Sequence, residues 1–394
     1  MWYYKKCDLK KREYFFIGKG GYKVIEKDLI EYVNSIEYID EKARDKAALR
    51  QTQLAKPPGA LGKLEDISIK FAGITGKVKN YIKKKAVVIF SSDNGVVEEG
   101  VTPTPQSVTA AQTINFTLRS TGVGALAKTF GVDLCVVDIG VKSKFPEAMI
   151  SSEMCDFIDD KIIDRKIRYG TSNLAKGPAM TREEAILAIE TGIEAAELMK
   201  ARDYDIIGVG EMGIGNTTTS AAILSALTRC PVDVSVGRGG GLNDVGFTRK
   251  KQIVQQRGLD TTYKDIIDIL ANVGGFDICA MVGVFLGAAK NKLPVVVDGY
   301  ISAVAALVAF RMQSKTKEYM FGSHCSEEPG YMIAIEDIGI EKILDLNMRL
   351  GEGSGCVLGF EVIKGALGVM NEMATYDEAR IDEDYLELMA DAKF

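Results

Sequence analysis

The chain has 394 residues, 46% apolar and 26% charged, an ordinary balance for a globular protein with a sizeable core. At roughly 100–200 residues per domain, that length allows two or three domains or one large α/β sheet. Lys+Arg number 49 and Asp+Glu 54, a net charge of −5, so no basic excess exists to neutralise a nucleic-acid backbone.

Residues 1–30 are basic and aromatic, with GKGG near position 20, and read as an extension or small hairpin. They contain neither a continuous apolar run nor a small-residue cleavage site, so they do not read as a secretory signal. Residues 25–85 look helical and polar, with Pro57-Pro58-Gly59 breaking one helix before another starts at LGKLEDI. KAVVIFSSDNG (85–95) reads as a buried strand ending in a polar turn, followed by a helix from Ser107 to Phe130. VDLCVVDIGV (132–141) is a second strand. TREEAILAIETGIEAAELMKA (181–201) is a helix opened by a Thr181/Glu184 capping box. YDIIGVG (204–210) is a third strand, running into GEMGIGN and a helix beginning TTTSAAIL. LPVVVDG (293–299) is a fourth, followed by the helix ISAVAALVAFRM, and EYMFGSH (318–324) is a fifth. The longest apolar stretch, Leu293 to Phe310, is interrupted at Asp298-Gly299 and reads as strand, turn and helix rather than a membrane span.

Strands buried on both faces and alternating with helices predict an α/β fold with a mostly parallel sheet and right-handed crossovers. The helical ends have no strands to sandwich. The expected organisation is therefore an extension (1–30), a small helical domain from 31–80 and 361–394, and a large α/β domain (81–360). In such a sheet ligands bind beyond the carboxyl ends of the strands. The unusual residues fall there: SSDNG, GEMGIGNTT, VDGYIS and GSHCSEEPG each follow a strand.

Glycine is enriched, 40 of 394. GVGEMGIGNTT carries G-x-G-x-x-G at Gly208, Gly210 and Gly213, between a strand and a helix, as phosphate loops do. With Asp233 about twenty residues on, it also allows an NAD-dependent dehydrogenase; a tight turn without ligand is the plainer reading. A Walker-type loop is excluded, because no Gly-Lys-Ser/Thr follows. SVGRGGGLNDVGFTRKK (235–251) suits a phosphate or sugar loop with Arg249 and Lys250 supplying charge, or a flexible surface loop with a basic end. RLGEGSG (349–355) isolates Glu352 between glycines: a carboxylate partly dehydrated in a cleft can accept a proton near neutral pH, whereas one beside a helix C-cap would face solvent.

Only one histidine, His324, occurs. This argues against a zinc site, rules out two-histidine mechanisms, and leaves protons to carboxylates or lysines. A buried structural role is the plainer reading of His324. The seven cysteines include no CxxC pair and read as reduced thiols of a cytoplasmic protein. Asp93, Glu98 and Glu99 share one loop and could hold Mg²⁺, but nothing else marks a metal site.

Taken together, KPPGALGKLE, SSDNGVVEEGVTPTPQSVT, RYGTSNLAKGPAMT, GEMGIGNTTTSAA, GRGGGLNDVGFTRKK, NVGGFDICAMVGVFLGAA, PVVVDGYIS, SHCSEEPGY and LDLNMRLGEGSGCVLGFEVIKGALGVMNEMATYDEA run in order from Lys56 to Ala379. In this they resemble the nicotinate-nucleotide:5,6-dimethylbenzimidazole phosphoribosyltransferase family. The resemblance implies a Rossmann-like parallel sheet with a small helical domain, a homodimer, and transfer of 5-phosphoribose from nicotinate mononucleotide to a benzimidazole-type base. The products would be α-ribazole 5′-phosphate and nicotinate, with inversion at the anomeric carbon and no cofactor or metal. It implies Glu352 as catalytic base, with Glu211 as a second catalytic carboxylate. The phosphate and ribose contacts would be Gly213, Gly215, Asn216, Thr217, Gly239, Lys250 and Ser326. Ser92, Asn94, Glu99, Met212 and Leu350 would form the pocket for the aromatic acceptor. The chain departs from the family pattern at Asn94, where histidine is usual, at Gly240 for threonine and at Asn243 for aspartate. Cys325 occupies a variable position. A catalytically silent nucleotide-binding paralogue is the remaining alternative.

Overall fold

Within residues 26–381, which the computed structural model describes, eight strands pair side by side in parallel. They are β1 (Lys85–Ser92), β2 (Asp133–Gly140), β3 (Ile150–Ser151), β4 (Ile162–Asp164), β5 (Ile206–Met212), β6 (Val295–Val297), β7 (Met320–Ser326) and β8 (Lys342–Met348). The order across the sheet is β3-β4-β2-β1-β5-β6-β7-β8. The first half of the chain builds outward from β1 in one direction. The second half returns to lay β5 on the other flank of β1 and builds the opposite way. β1 and β5 are therefore the topological switch point, where connections diverge and leave a crevice beyond the carboxyl ends. The register pairs Phe90 with Glu211 and Ser91 with Met212, which sets Glu211 at that crevice.

Every residue of β1 is buried, as its unbroken KAVVIFSS run requires of a strand covered on both faces. Helices Arg182–Ala201, Phe276–Lys290, Tyr300–Met312 and Ser354–Glu372 join the strands in one contiguous apolar core. Thr181 and Glu184 form the expected capping box. Leu293 to Phe310 resolves into β6, a turn at Asp298-Gly299 and the start of Tyr300–Met312, and no described helix is long and apolar enough to cross a membrane.

Three expectations are corrected. The helix from Ser107 to Phe130 is two helices, Ser107–Thr117 and Gly122–Phe130. Arg119 takes a positive φ of 52°, and Thr121 opens the second helix by accepting from Gly124 N–H (3.0 Å). Eight strands replace the five expected: β3 and β4 are two and three residues long, and β8 is a solvent-facing edge, so none carries the apolar run that betrays a central strand. The glycine-rich segment does not stay a loop, because Asn243 accepts from Gly246 N–H (2.9 Å) and caps a helix, Asp244–Gly258.

Helices Glu26–Asn34, Glu41–Gln53 and Lys63–Thr75 account for the polar N-terminal region. A satellite cluster of Ala47, Ala72 and Met370 joins two of them to the end of Ser354–Glu372. The boundary expected at 360/361 falls inside that helix. The hairpin expected within residues 1–30 and the chain beyond 381 lie outside the described residues, apart from the start of the first helix.

Candidate active site

A cavity of about 540 Å³ opens at the β1/β5 switch point. It lies within the range of small-molecule sites, about 300–1,000 Å³. The loop after β5 forms its floor. Gly215 (φ 96°) starts the helix Asn216–Thr228 and gives it no side-chain cap; Asn216 N–H bonds to the Gly213 carbonyl (2.9 Å) and Thr218 N–H to the Gly215 carbonyl (3.0 Å), which leaves the amides of Gly215 and Thr217, at the positive end of this 13-residue helix, to meet an anion. Gly213, Gly215, Asn216 and Thr217 all line the cavity. Gly239 of the glycine-rich segment lies opposite, within the same cavity. Behind it the Lys250 ammonium, almost fully buried, donates to Thr217 Oγ1 (2.9 Å) and the Gly237 carbonyl (3.0 Å). Burial holds that amine down at about 8, against a smaller opposing pull from Glu328. Ser326, at the end of β7, and Glu328 complete this end.

The other wall is acidic. Gly351, Glu352 and Gly353 take φ values of 82°, 65° and 87°, three consecutive left-handed residues of which only the middle one has a side chain. Glutamate in that conformation is held against a backbone preference of order 1–3 kcal/mol, and such strain clusters at functional sites. Gly210 lets the turn approach, since a methyl group there would collide with the Glu352 carbonyl oxygen. Glu352 is 5% exposed. Its Oε1 accepts from Gln112 Nε2 (3.3 Å) and its Oε2 from Val123 N–H (3.3 Å) at the start of Gly122–Phe130. Burial raises its pKa, and Asp298 adds to the rise, while the Val123 amide and Gln112 oppose it.

Glu211 lies beside it. Its Oε2 accepts from Asn216 Nδ2 (2.5 Å), whose second N–H reaches Asp277 Oδ2 (3.0 Å), and its Oε1 is 3.5 Å from Glu352 N–H. Burial pushes Glu211 up to about 8, with Asp277 and Asp298 adding to the rise. Glu211, Asp298 and Glu352 thus share one wall, with Asp277 behind and itself at about 6 through burial. Among the described residues no three His, Cys, Asp or Glu side chains are grouped to chelate a metal. Met212 and the 57%-exposed Leu350 line the same cavity and supply apolar surface near Glu352.

Three residues expected in the acceptor pocket do not line it. Ser92 is fully buried beneath the Gly213 loop. Asn94 is 1% exposed and packs behind Gly213 and Gly215, accepting from Thr219 Oγ1 (3.4 Å), so its side chain supports the loop from the rear. Glu99 bonds to Arg249 and to Asn173 Nδ2 (2.8 Å) on the outside of the molecule. The Asp93, Glu98, Glu99 trio is dispersed: Asp93 is buried and accepts from Lys142 N–H (2.7 Å), and Glu98 pairs with Lys176 (2.9 Å).

The dinucleotide reading loses its geometry. Gly208 and Gly210 lie within β5, where a methyl at either would strike Cys356 or the Glu352 backbone, so they admit the Ser354–Glu372 helix rather than a pyrophosphate. Asp233 pairs with Lys251 (2.7 Å) and is exposed. RLGEGSG proves to be a helix N-terminus, and its glutamate is buried rather than solvent-facing.

Asp298 and Gln112 were absent from the sequence-derived site. Asp298 ends VVVD at the strand rim, a position that the rim rule alone would have flagged. Gln112 sits mid-helix in VTAAQTIN, and no local signal marks it.

Known proteins share this chain's sequence and fold. The family profile described as Phosphoribosyltransferase matches residues 36–381. A nicotinate-nucleotide–dimethylbenzimidazole phosphoribosyltransferase of Clostridium perfringens is 52% identical over 365 residues, covering 92% of this chain and 98% of that protein. Its counterpart in Clostridium tetani is 49% identical over 366 residues, with 92% and 98% covered. The crystal structure of the enzyme bearing that name from Thermus thermophilus superposes with a TM-score of 0.80 at 36% identity, covering 87% of this chain and 99% of that one.

Proposed function

The chain belongs to the nicotinate-nucleotide–dimethylbenzimidazole phosphoribosyltransferase family, and on that premise we propose how its cavity carries out the transfer. The reaction moves 5-phosphoribose from nicotinate mononucleotide to dimethylbenzimidazole or a related base, in assembly of the cobalamin nucleotide loop. The donor carries a phosphate at one end and a pyridinium cation at the other. The observation that carries this reading is the pairing of opposite ends in one cavity, with uncapped helix amides and Lys250 at one side and Glu211, Asp298 and Glu352 at the other.

The 5′-phosphate docks on the amides of Gly215 and Thr217 at the positive end of the helix and draws on the charge of Lys250, with Gly239 and Ser326 closing around it. Pyridinium and ribose lie against the acidic wall, whose buried carboxylates are costly without a cationic partner. The acceptor stacks on Leu350 and Met212, and one of its ring nitrogens attacks the anomeric carbon with its lone pair. The bond to the pyridinium nitrogen breaks with its electron pair, so nicotinate leaves as a neutral ring nitrogen and needs no general acid. The N–H on the acceptor's other nitrogen passes to Glu352, which the raised pKa makes a stronger base. Glu211 faces the anomeric carbon and stabilises the charge that develops on the sugar. Near neutral pH it holds a proton in the empty site, which the incoming cation displaces. The homodimer implied by the resemblance belongs to this reading, and a monomer mass in solution would contradict it.

Incubation with nicotinate mononucleotide and dimethylbenzimidazole should yield α-ribazole 5′-phosphate and free nicotinate, identified by mass. Binding of NAD with no transfer product would reject the assignment.

A further inference from the structure

The helix Ser354–Glu372 runs for 19 residues, yet begins at Gly353, which has no side chain to cap it. The cap arrives from another strand. Asp298, 3% exposed after β6, accepts from Gly353 N–H (3.0 Å) on Oδ2 and from Gly355 N–H (2.6 Å) on Oδ1. Both oxygens are spent on backbone amides at the positive end of the helix, a strong place for a carboxylate. The turn's other contacts include the Ser354 N–H (3.1 Å) and hydroxyl (2.7 Å) to the Gly351 carbonyl, the bonds from Gln112 and Val123 to the Glu352 carboxylate, and the longer Glu352 N–H to Glu211 contact (3.5 Å). Asp298 is itself held: Ser323 Oγ donates to its carbonyl (3.2 Å), and His324 Nδ1 lies 3.9 Å from Oδ1.

We propose that Asp298 is the positioning residue of Glu352. By capping Ser354–Glu372 from the end of β6, it fixes the left-handed Gly351–Glu352–Gly353 turn and aims the carboxylate into the cavity. The inference rests on the reading of Glu352 as the base. A left-handed glutamate persists only where its surroundings over-determine it, and the two amide bonds to Asp298 supply that determination. The same carboxylate sets the proton affinity of the base. The ionisable groups around Glu352 are Glu211 on β5, Asp298 after β6, His324 on β7 and Arg349 in its own loop. Helix Ser107–Thr117 has no charged residue, and the first turns of Gly122–Phe130 and Ser354–Glu372 bring none. Of these groups, Asp298 is the one whose charge raises Glu352.

The test compares Asp298→Asn, Ser323→Ala and Glu352→Gln with the parent in steady-state transfer from pH 5 to 9, with folding followed by circular dichroism. Asp298→Asn replaces one acceptor oxygen by a donor that faces an amide N–H. It should lower kcat about 10- to 100-fold, in line with the sensitivity of catalysis to small misplacements, and leave KM for nicotinate mononucleotide within about threefold. Turnover needs ionised Glu352, so activity falls as pH falls through its pKa. Without the negative neighbour that limb should move to lower pH, which a merely structural role would not cause. Ser323→Ala should lower kcat less, at unchanged KM. A folded Asp298→Asn with parental kcat and an unmoved limb overturns the proposal, as does a loss confined to KM. An insoluble Asp298→Asn beside a Ser323→Ala enzyme of parental kcat also overturns it, since Asp298 would then serve folding alone. Full turnover by Glu352→Gln would instead remove the base reading on which the proposal rests.

Discussion

Lys250 is a cation buried to 1% exposure with two neutral oxygens as its hydrogen-bond partners. An amine held down at about 8 in that setting gains when a phosphate arrives, because the anion restores the partner that burial removed. Lys250→Ala should therefore weaken the donor rather than the chemistry. A hydrogen bond to a charged group is worth about 1.5–3 kcal/mol, so kcat/KM for nicotinate mononucleotide should fall roughly 10- to 150-fold, chiefly through KM; an unchanged KM would refute the phosphate role. At this scale the sequence revealed residues whose neighbours are odd. Glu352 stood out between two glycines, and Lys250 beside a glycine run. Asn94 and Ser92 also stood out, yet their loop turns inward, so they buttress the loop of Gly213 and Gly215 from behind. Asp298 lies in VDGYIS, a rim loop that the sequence marks as a whole, but its own role depends on two amides 55 and 57 residues away in the chain, which no local pattern shows.

At the level of elements, Glu352, the proposed base, is presented by three backbones that meet closely. Gly210 in β5 gives the Glu352 turn its room, and the break at residues 118–121 creates the helix start whose Val123 amide holds Oε2. A continuous helix from Ser107 to Phe130 would have buried that amide in its own ladder. Gly210→Ala should cost about 1–3 kcal/mol of stability through overpacking. It should also lower kcat by about 10²-fold, because a small displacement of a positioned group weighs heavily on catalysis. Thermal melting and steady-state rates measure both; a stable variant with parental kcat would show that the close approach is dispensable. The central strands, the capping box at Thr181 and the four strand-end loops were legible, because burial on both faces and capping are written in local residue types. The helix break and the edge strands were not. The break depends on where Glu352 needs an amide, and β8 has a half-exposed pattern that a loop can share.

For the whole molecule, the sheet order gathers carboxylates from both halves of the second winding onto one wall. Glu211 comes from β5, Asp298 from β6 and Glu352 from the loop after β8. Their mutual repulsion and burial weaken the empty protein as they ionise. For Glu211 the folded pKa of about 8 lies above the ordinary 4.5, so the stability it contributes is present below 4.5 and is lost as pH rises through about 8. Glu211→Gln removes that dependence. Relative to the parent, the variant should gain stability steadily between pH 4.5 and 8 in thermal or urea unfolding, and parallel curves across that window would contradict the burial argument.

The central claim is that Glu352 takes the proton from the acceptor base. Single-turnover transfer by Glu352→Gln, with donor affinity measured by calorimetry on the same sample, tests it most directly. The account predicts a rate lower by about 10²–10⁴-fold with nicotinate mononucleotide still bound at near-parental affinity. Transfer at the parental rate would contradict it.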